Sequence, residues 1–464
     1  MASTPGLTST LTPIPGLVLL DLPVHGDNRG WFKENWQREK MVAVGLPDFG
    51  PVQNNISFNG VAGTTRGIHA EPWDKFVSVA SGKIFGAWVD LRDGPTFGAV
   101  FTAELGPSRA VFVPYGVGNS YQTLENETAY SYLVNDHWSA NASYTFLNLA
   151  DETVGINWPI PLSEAELSEK DRAHPRLSRV TPMQGRKTLV IGSGGQLGKA
   201  LRHVMPNAEF VSRAEFDVSN PKSYSGRHWR DYEVIVNASA YTKVDAAETE
   251  SGRRDAWGSN VIGTSLLAAV ASRNGITLVH VSSDYVFDGA LDAHSEDEAF
   301  SPLGVYGQTK AAADAIVATV PRHYIVRTSW VIGEGTNFVR TMASLAARGI
   351  APSVVNDQIG RLTFTDDIAL GIVHLLNVKP SFGTYNLTND GESRSWAQLA
   401  SRVYEILGHD PMNVTGVSTQ TYFEGKDSAP RPLNSTLTLD KIKATGFTPR
   451  NADDALLDYL IANQ

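Results

Sequence analysis

The sequence of 464 residues contains no cysteine. This absence excludes disulfide bonds, thiolate zinc sites and cysteine nucleophiles. It fits a reducing compartment. Residues 1–15 are rich in Ser, Thr and Pro and lack the basic and apolar regions of a signal peptide. No apolar run is long enough to cross a bilayer, so we expect a cytoplasmic protein without a membrane partner.

Basic residues are fewer than acidic ones, with 39 Lys and Arg against 49 Asp and Glu, which gives a formal net charge of −10. Nucleic-acid binding requires a basic surface, so we expect no nucleic-acid partner. An anionic small molecule needs only local Arg, Lys and helix N-termini, and it stays compatible with this charge. The length predicts roughly two or three domains.

Two parts of the chain have different residue patterns. Short β-branched and aromatic runs separated by Gly, Pro and Asn fill residues 17 to about 150 and indicate a jelly roll or barrel. From Lys187, strand-like and helix-like segments alternate, which predicts a parallel sheet covered by helices. We therefore predict a multidomain chain. It has an all-β jelly-roll (cupin-like) domain over 1–175, a linker over 176–186 and an α/β Rossmann domain with a small substrate-binding lobe over 187–464.

A glycine-rich loop, GSGGQLG at 192–198, stands between the first strand and the first helix of the second part. Glycine there permits a tight turn and a close approach of the backbone to a pyrophosphate. The second strand ends at Ser212-Arg213 instead of an acidic residue, and a guanidinium suits a 2′-phosphate. NADPH is the predicted cofactor, and NADH stays compatible. The predicted cofactor-binding residues are Gly192, Gly194, Gly195, Gln196, Leu197, Gly198, Arg213, Asp217, Ala238, Ser239 and Ala240.

A candidate catalytic set follows this loop along the chain. Tyr306 and Lys310 form a Tyr-x-x-x-Lys motif, whose spacing places both side chains on one helix face. The ammonium group is expected to lower the tyrosine pKa and so make the phenol a proton donor. Ser283 follows a predicted central strand, where it would orient a substrate carbonyl. Together these residues predict a carbonyl reductase.

Further motifs cover nearly the whole second part: VNASAYTKVDAAE (236–248), VSSDYVFDG (281–289), SPLGVYGQTK (301–310), RTSWV (327–331), VVNDQIGRLT (354–363) and RPLNS (431–435). With the glycine loop they resemble the dTDP-4-dehydrorhamnose reductases, a family of extended short-chain reductases. The resemblance implies a sugar-nucleotide site lined by Tyr285, Trp330, Asn337, Arg431 and Asn434. Plain core packing is the alternative for Trp330. Some members link dimers through a metal bound by a glutamate of the first helix. Ala200 stands at that position, so we predict no metal.

One histidine of the first part, His69, has candidate partners for proton transfer. An enzyme that inverts a carbon next to a ketone needs a base, an acid on the opposite face, a group that holds the base and a cation for the enolate. His69, Tyr132, Asp171 and Lys75 provide one residue for each role. Spacing alone favours a core or surface histidine.

The motifs around these residues are GDNRGWFKENW (26–36), VQNNIS (52–57), RGIH (66–69), DKFVSVASGKIF (74–85), VDLRDGPTFG (89–98), VPYGVGNSYQTL (113–124) and LSEKD (167–171). They resemble the dTDP-4-dehydrorhamnose 3,5-epimerases, which are jelly-roll dimers. The resemblance implies that His69 is the base, Asp171 its partner, Tyr132 the acid and Lys75 the enolate stabiliser. It also implies nucleotide and phosphate contacts from Arg29, Glu34, Gln53, Asn55 and Arg66, and a homodimer through this domain.

Two positions depart from the epimerase pattern. Asn119 stands where the family usually has a second histidine, and Gly86 stands where it usually has an acidic residue. We expect the two positions to be neighbours inside the domain, with Asn119 at the substrate. The joint change could narrow the reaction to one carbon, alter the substrate or weaken the enzyme. A metal cupin is disfavoured because only His69 remains as a good ligand.

Both resemblances point to one sugar nucleotide. They imply 3,5-epimerisation of dTDP-4-dehydro-6-deoxyglucose and then reduction of its 4-keto group, which gives dTDP-L-rhamnose. Three alternatives stay open: a reductase with a non-catalytic N-terminal dimerisation or binding module, a regulatory binding protein, and the same two reactions on another dTDP-deoxysugar.

Overall fold

The computed structural model describes residues 6–139 and 142–463. It divides into two compact units, Met1–Gly185 and Arg186–Gln464. The segment predicted as a linker, 176–186, belongs to the first unit up to Gly185. The reason is that Met183 is buried in a core cluster of that unit and exchanges backbone hydrogen bonds with Leu91 and Asp93, just after β8.

The first unit consists mainly of short strands. Its elements are β1 (Thr8–Leu11), β2 (Val18–Asp21), β3 (Val24–Asp27), β4 (Gly30–Lys33), α1 (Arg38–Ala43), β5 (Gln53–Asn59), β6 (Thr65–Ala70), β7 (Lys75–Ser81), β8 (Ile84–Asp90), β9 (Val100–Leu105), β10 (Arg109–Val113), β11 (Val117–Thr123), β12 (Thr128–Val134), β13 (Thr145–Phe146) and α2 (Glu169–Arg172). One antiparallel sheet has the order β1-β2-β10-β7-β12-β5, and the other has the order β13-β6-β11-β8-β9. Strands β3 and β4 form a separate hairpin.

Side chains from both sheets form the core of this unit, among them Val77 and Trp88. The hairpin from β7 to β8 turns at Gly82, which has a φ of +76° and approaches Thr128 so closely that a Cβ would not fit. The pairing of β6 with β11 places His69 opposite Asn119. Ser168 caps α2 by accepting a hydrogen bond from the backbone N–H of Asp171 (3.1 Å). These features bring the candidate proton-transfer residues together.

The second unit alternates strands and helices. Its elements are β14 (Lys187–Ile191), α3 (Gln196–Val204), β15 (Glu209–Val211), β16 (Tyr232–Asn237), α4 (Glu250–Ala256), a π-helix (Trp257–Gly263), α5 (Thr264–Asn274), β17 (Thr277–Ser283), α6 (Val305–Val317), β18 (His323–Thr328), β19 (Val331–Ile332), α7 (Phe338–Ala347), β20 (Ser353–Val355), β21 (Ile359–Gly360), β22 (Thr363–Phe364), α8 (Thr365–Val378), β23 (Gly383–Asn386), β24 (Arg394–Ser395), α9 (Trp396–Ile406), β25 (Thr415–Val417), α10 (Thr419–Phe423), α11 (Asp440–Ala444) and α12 (Ala452–Ala462).

The main sheet of this unit is parallel and has the order β15-β14-β16-β17-β18-β23. The direction of strand addition reverses beside β14, and such a switch point opens a crevice at the carboxyl ends of the strands. A separate apolar cluster joins α7, α9 and α12 with the short strands β19, β20 and β22, where a small lobe is predicted. The predicted fold class, an all-β domain followed by a Rossmann domain, is confirmed. Within the described ranges, no helix is long and apolar enough to cross a membrane.

Candidate active sites

The glycine loop of the second unit fits a dinucleotide through close backbone contacts. Gly192 has a φ of +92°, and a Cβ there would lie 2.9 Å from the carbonyl carbon of Ala238. A Cβ at Gly198 would lie 2.2 Å from the carbonyl oxygen of Gly192. Helix α3 begins directly after Gly195, and no side chain caps it. The first amides of α3 are therefore available to a phosphate group.

A cleft of about 1030 Å³ opens at the carboxyl ends of β14, β16 and β17. The glycine loop lines one part of it, and Ser283, Tyr306 and Lys310 line another. Trp330, Phe338 and Trp396, three aromatic residues of the small lobe, line the far side, and Trp330 stacks on Trp396 with a centroid distance of 3.7 Å. The cleft can therefore hold a dinucleotide and a second ligand, both next to the polar residues Ser283, Tyr306 and Lys310.

Burial determines the protonation states of Tyr306 and Lys310. Burial raises the pKa of Tyr306 to about 12, against the opposing effect of a hydrogen bond with Ser283. Burial also lowers the pKa of Lys310 to about 8, although the charge of Asp314 opposes it. The Lys310 Nζ atom donates to the carbonyl of Val281 (2.7 Å). The expected lowering of the tyrosine pKa by Lys310 is thus absent, because the ammonium group points at β17.

Two buried side chains, Asp284 and His280, contact Ser283 and Lys310. The Oγ of Ser283 donates to Asp284 (3.0 Å), and burial raises the pKa of this carboxyl to about 6. His280 places its Nε2 atom 3.3 Å from the Nζ of Lys310. Burial first, and the charge of Lys310 second, hold the pKa of His280 well below its usual value. A neutral imidazole therefore lies behind Lys310.

In the first unit, His69 and Asp171 form a hydrogen-bonded pair. The Nε2 atom of His69 lies 2.9 Å from Oδ1 of Asp171, whose Oδ2 accepts from the backbone N–H of Gly67 (3.4 Å). Burial alone would raise the pKa of Asp171, but the hydrogen bond and charge of His69 outweigh it and lower the pKa. An ionised carboxylate only accepts, so Nε2 of His69 carries the proton. Its Nδ1 atom then carries no proton and can act as a base.

The His69 ring borders a pocket of about 160 Å³ that is also lined by Lys75 and Tyr132. The Nζ atom of Lys75 lies 5.7 Å from the centre of the Tyr132 ring and forms an ion pair with Glu71. Burial first, and the charge of Glu71 second, raise the pKa of Tyr132, so its phenol stays protonated. The pocket therefore brings together a base, an acid and a buried cation.

Comparison with known proteins assigns a family to each unit. Residues 186–463 match the family described as RmlD substrate binding domain, and residues 11–179 match dTDP-4-dehydrorhamnose 3,5-epimerase. The RmlC homolog of Streptococcus pyogenes serotype M6 is 52% identical over 178 residues, which cover 37% of this chain and 89% of that protein.

The second unit has relatives of its own. The dTDP-4-dehydrorhamnose reductase of Aggregatibacter actinomycetemcomitans is 35% identical over 291 residues, which cover 58% of this chain and 97% of that protein. The solved structure of the Bacillus anthracis dTDP-4-dehydrorhamnose reductase in complex with NADP is 30% identical with a TM-score of 0.55, covering 60% of this chain and all of that one. The chain belongs to both the RmlC and the RmlD families.

In the RmlD unit, most of the predicted site residues lie along the cleft. The lining residues among them are Gly194, Gly195, Gln196, Leu197, Ala238, Ser239, Ala240, Ser283, Tyr285, Tyr306, Lys310, Trp330 and Arg431. Gly192 and Gly198 support the loop through their close contacts. Arg213 is exposed, with its Nε atom 3.8 Å from Asp217 outside this lining.

Two predicted substrate residues of the RmlD unit do not line the cleft. Asn337 caps α7 by accepting from the N–H of Arg340 (3.0 Å), and its amide donates to Gly333 and Tyr459. Asn434 donates to the carbonyl of Asp292 (2.9 Å). Both amides are thus occupied within the fold.

In the RmlC unit, His69, Lys75, Tyr132, Arg66 and Asn119 line one pocket, and Asp171 holds His69 from behind. The remaining predicted nucleotide contacts lie outside this lining. Arg29 pairs with Asp27 on the hairpin, Glu34 pairs with Lys40, and Gln53 donates to Asn55 (2.8 Å).

Several side chains at the sites were not predicted from the sequence. Glu71 precedes Lys75 by four residues, a spacing that predicts contact only on a helix. Here the two side chains form an ion pair across the turn between β6 and β7. His174, three residues after Asp171, is 9% exposed, and neither ring nitrogen has a hydrogen-bond partner among the described residues. Asp284 is a third residue that was not predicted. Its position directly after Ser283 is the sequence feature that could have indicated it.

Proposed function

We propose that the chain catalyses two consecutive reactions on one sugar nucleotide. The RmlC unit epimerises dTDP-4-dehydro-6-deoxyglucose at C3 and C5, and the RmlD unit then reduces the 4-keto group to give dTDP-L-rhamnose. The observation that supports this most strongly is that two separate pockets each hold a complete acid–base set.

In the proposed epimerisation, Nδ1 of His69 removes the proton from a carbon beside the ketone, while Asp171 holds the ring. Lys75 stabilises the negative charge that develops on the ketone oxygen. Tyr132, whose phenol stays protonated, donates a proton to the opposite face of the carbon. The ketone is regenerated, and the same set can act at either carbon because both adjoin the carbonyl.

In the proposed reduction, the glycine loop and the start of α3 would bind the pyrophosphate of NADPH, which would supply the hydride. NADH is compatible with this site as well. Ser283 orients the carbonyl at C4, and Tyr306 donates the proton that the new hydroxyl needs. Lys310 lies one turn from Tyr306 on the same face of α6, and its ammonium group would donate a hydrogen bond to the nicotinamide ribose. Tyr285 and Arg431, which both line the cleft, would contact the sugar nucleotide.

Two assays test the two activities separately. Without NADPH, the purified chain should incorporate solvent deuterium at C3 and C5 of the keto sugar, and His69→Ala should abolish this exchange while reduction of the epimerised substrate continues. With NADPH and epimerised substrate, Tyr306→Phe should abolish NADPH oxidation while exchange continues. Exchange that persists in His69→Ala would reject the RmlC site, and NADPH oxidation that persists in Tyr306→Phe would reject the RmlD site.

We also propose that the chain is a cytoplasmic homodimer that assembles through its RmlC unit. Ile56 and Phe58 on the edge strand β5 support this, because both are apolar and exposed, at 66% and 63%. Sedimentation velocity of the intact chain should show a dimer that Ile56→Lys with Phe58→Lys converts to a monomer. A wild-type monomer would contradict the proposal.

A further inference from the structure

The side chain of Asn119 lines the pocket of the RmlC unit directly across the ladder from His69. Its Oδ1 atom accepts hydrogen bonds from the indole Nε1 of Trp88 (2.9 Å) and from the hydroxyl of Tyr130 (3.1 Å). An indole N–H can only donate, so the atom that faces Trp88 must be the amide oxygen. The chemistry of its neighbours therefore fixes the orientation of this amide.

Tyr130 strengthens this assignment. Burial raises the pKa of Tyr130 well above its usual value, so the hydroxyl keeps its proton and can donate to Asn119. With two donors at Oδ1, the two N–H groups of Nδ2 remain for the pocket. Among the described residues, none accepts a hydrogen bond from this Nδ2 atom. The pocket thus contains a neutral group that can only donate.

Gly86 provides the space for the Trp88 ring. A Cβ at Gly86 would lie 2.3 Å from the Cη2 atom of Trp88. Trp88 is fully buried and pairs with Asn119 across β8 and β11. One indole ring therefore connects Gly86 and Asn119, the two positions that depart from the epimerase pattern.

We propose that the Nδ2 donors of Asn119 bind the ketone oxygen of the 4-keto sugar, and that Trp88 is the positioning residue that keeps them facing it. The inference rests on the proposed epimerase function. His69 takes a proton from a carbon bonded to the carbonyl carbon, so the ketone oxygen lies near the residue opposite His69. A fixed donor gains strength as that oxygen becomes an enolate. Lys75 forms an ion pair with Glu71, and this carboxylate offsets part of its positive charge. A second donor therefore adds to the stabilisation of the enolate oxygen.

The test uses the intact chain without NADPH, so that deuterium exchange at C3 and C5 reports on the RmlC unit alone. Asn119→Asp keeps the size of the side chain and the acceptor for Trp88 and Tyr130 but removes both N–H donors. We expect the turnover number for exchange to fall about 100-fold. The inhibition constant of dTDP, which lacks the sugar and its ketone, should stay unchanged.

Trp88→Phe tests the positioning role, because it removes the indole N–H and lets the amide rotate. We expect a fall in turnover of about tenfold, smaller than that in Asn119→Asp, with little change in KM. Trp158→Phe is the matched control: its Nε1 atom donates to the carbonyl of Leu149 (2.9 Å) in the same unit, and exchange should not change. Thermal unfolding of each variant monitors the fold.

Wild-type turnover in Asn119→Asp would overturn the proposal. So would a rise in the dTDP inhibition constant that matches the fall in turnover, because Asn119 would then only maintain the pocket. Wild-type turnover in Trp88→Phe would show that Trp88 does not position the amide of Asn119. Absence of exchange in the wild-type chain is a distinct result: it would reject the proposed epimerase function, and this inference with it.

Discussion

At the scale of single residues, burial controls the proton chemistry of the reductase cleft. Tyr306 is half-buried, and its desolvation raises the pKa to about 12, which keeps the phenol protonated at neutral pH. Lys310 is fully buried, and its burial lowers its pKa to about 8. Lys310 is therefore the group of this pair whose charge changes near physiological pH.

Lys310 predicts an alkaline limit for reduction. The ammonium form exists below its pKa and is lost as the pH rises through about 8, so kcat/KM for NADPH oxidation should decline above that pH. A pH profile of the intact chain with epimerised substrate measures this. In Lys310→Arg, whose guanidinium stays charged, the decline should disappear even if the rate is lower. A wild-type profile that is flat to pH 10 would contradict the assignment.

Sequence spacing predicted which of these residues meet but not how they are oriented. The four-residue interval of Tyr306 and Lys310 fixes a shared helix face. The direction of the Lys310 amine depends on its contacts with Val281 and His280, which are both residues of strand β17. Likewise, the expected proximity of Gly86 and Asn119 did not reveal the indole between them. Such contacts arise from tertiary packing, which spacing along the chain does not encode.

At the scale of elements, the turn from β14 into α3 is the part of the RmlD unit most sensitive to added volume. The helical residue Gly198 faces the loop residue Gly192 with no room for a side chain. A methyl group there would push α3 away from the loop and displace the amides that face the phosphate.

Gly198→Ala should therefore weaken NADPH binding about tenfold or more. A fluorescence titration of the intact chain with NADPH measures the dissociation constant. Gly258→Ala is the control, since no atom lies within 4 Å of the Cβ it would add, and it should bind NADPH as the wild type does. Equal affinities of the two variants would show that the loop tolerates the methyl group.

The longer elements follow from the sequence better than the short ones. The alternation of strand-like and helix-like segments predicted the parallel sheet, and the second strand, predicted to end at Ser212-Arg213, is β15, which ends at Val211. The two- and three-residue strands of the small lobe, such as β19 and β21, are too short to show a pattern. The segment 176–186 is polar enough to suggest a linker, but three apolar residues, Leu177, Val180 and Met183, pack against a core cluster of the first unit.

At the scale of the whole molecule, the described residues that line the large cleft belong to the RmlD unit, and those that line the small pocket belong to the RmlC unit. Two such units can fold and act independently. Fragments 1–185 and 186–464, produced separately, should therefore retain deuterium exchange and NADPH oxidation, respectively, at the rates of the intact chain. Loss of activity from a fragment that remains folded would show that its site depends on the other unit.

The most direct test of two independent active sites in one chain is complementation. His69→Ala and Tyr306→Phe are each incubated with dTDP-4-dehydro-6-deoxyglucose and NADPH, alone and as a mixture, and dTDP-L-rhamnose is measured. Neither variant alone should form the product, whereas the mixture should form it, since each variant retains the site that the other lacks. Product from His69→Ala alone, or no product from the mixture of two folded variants, would contradict the account.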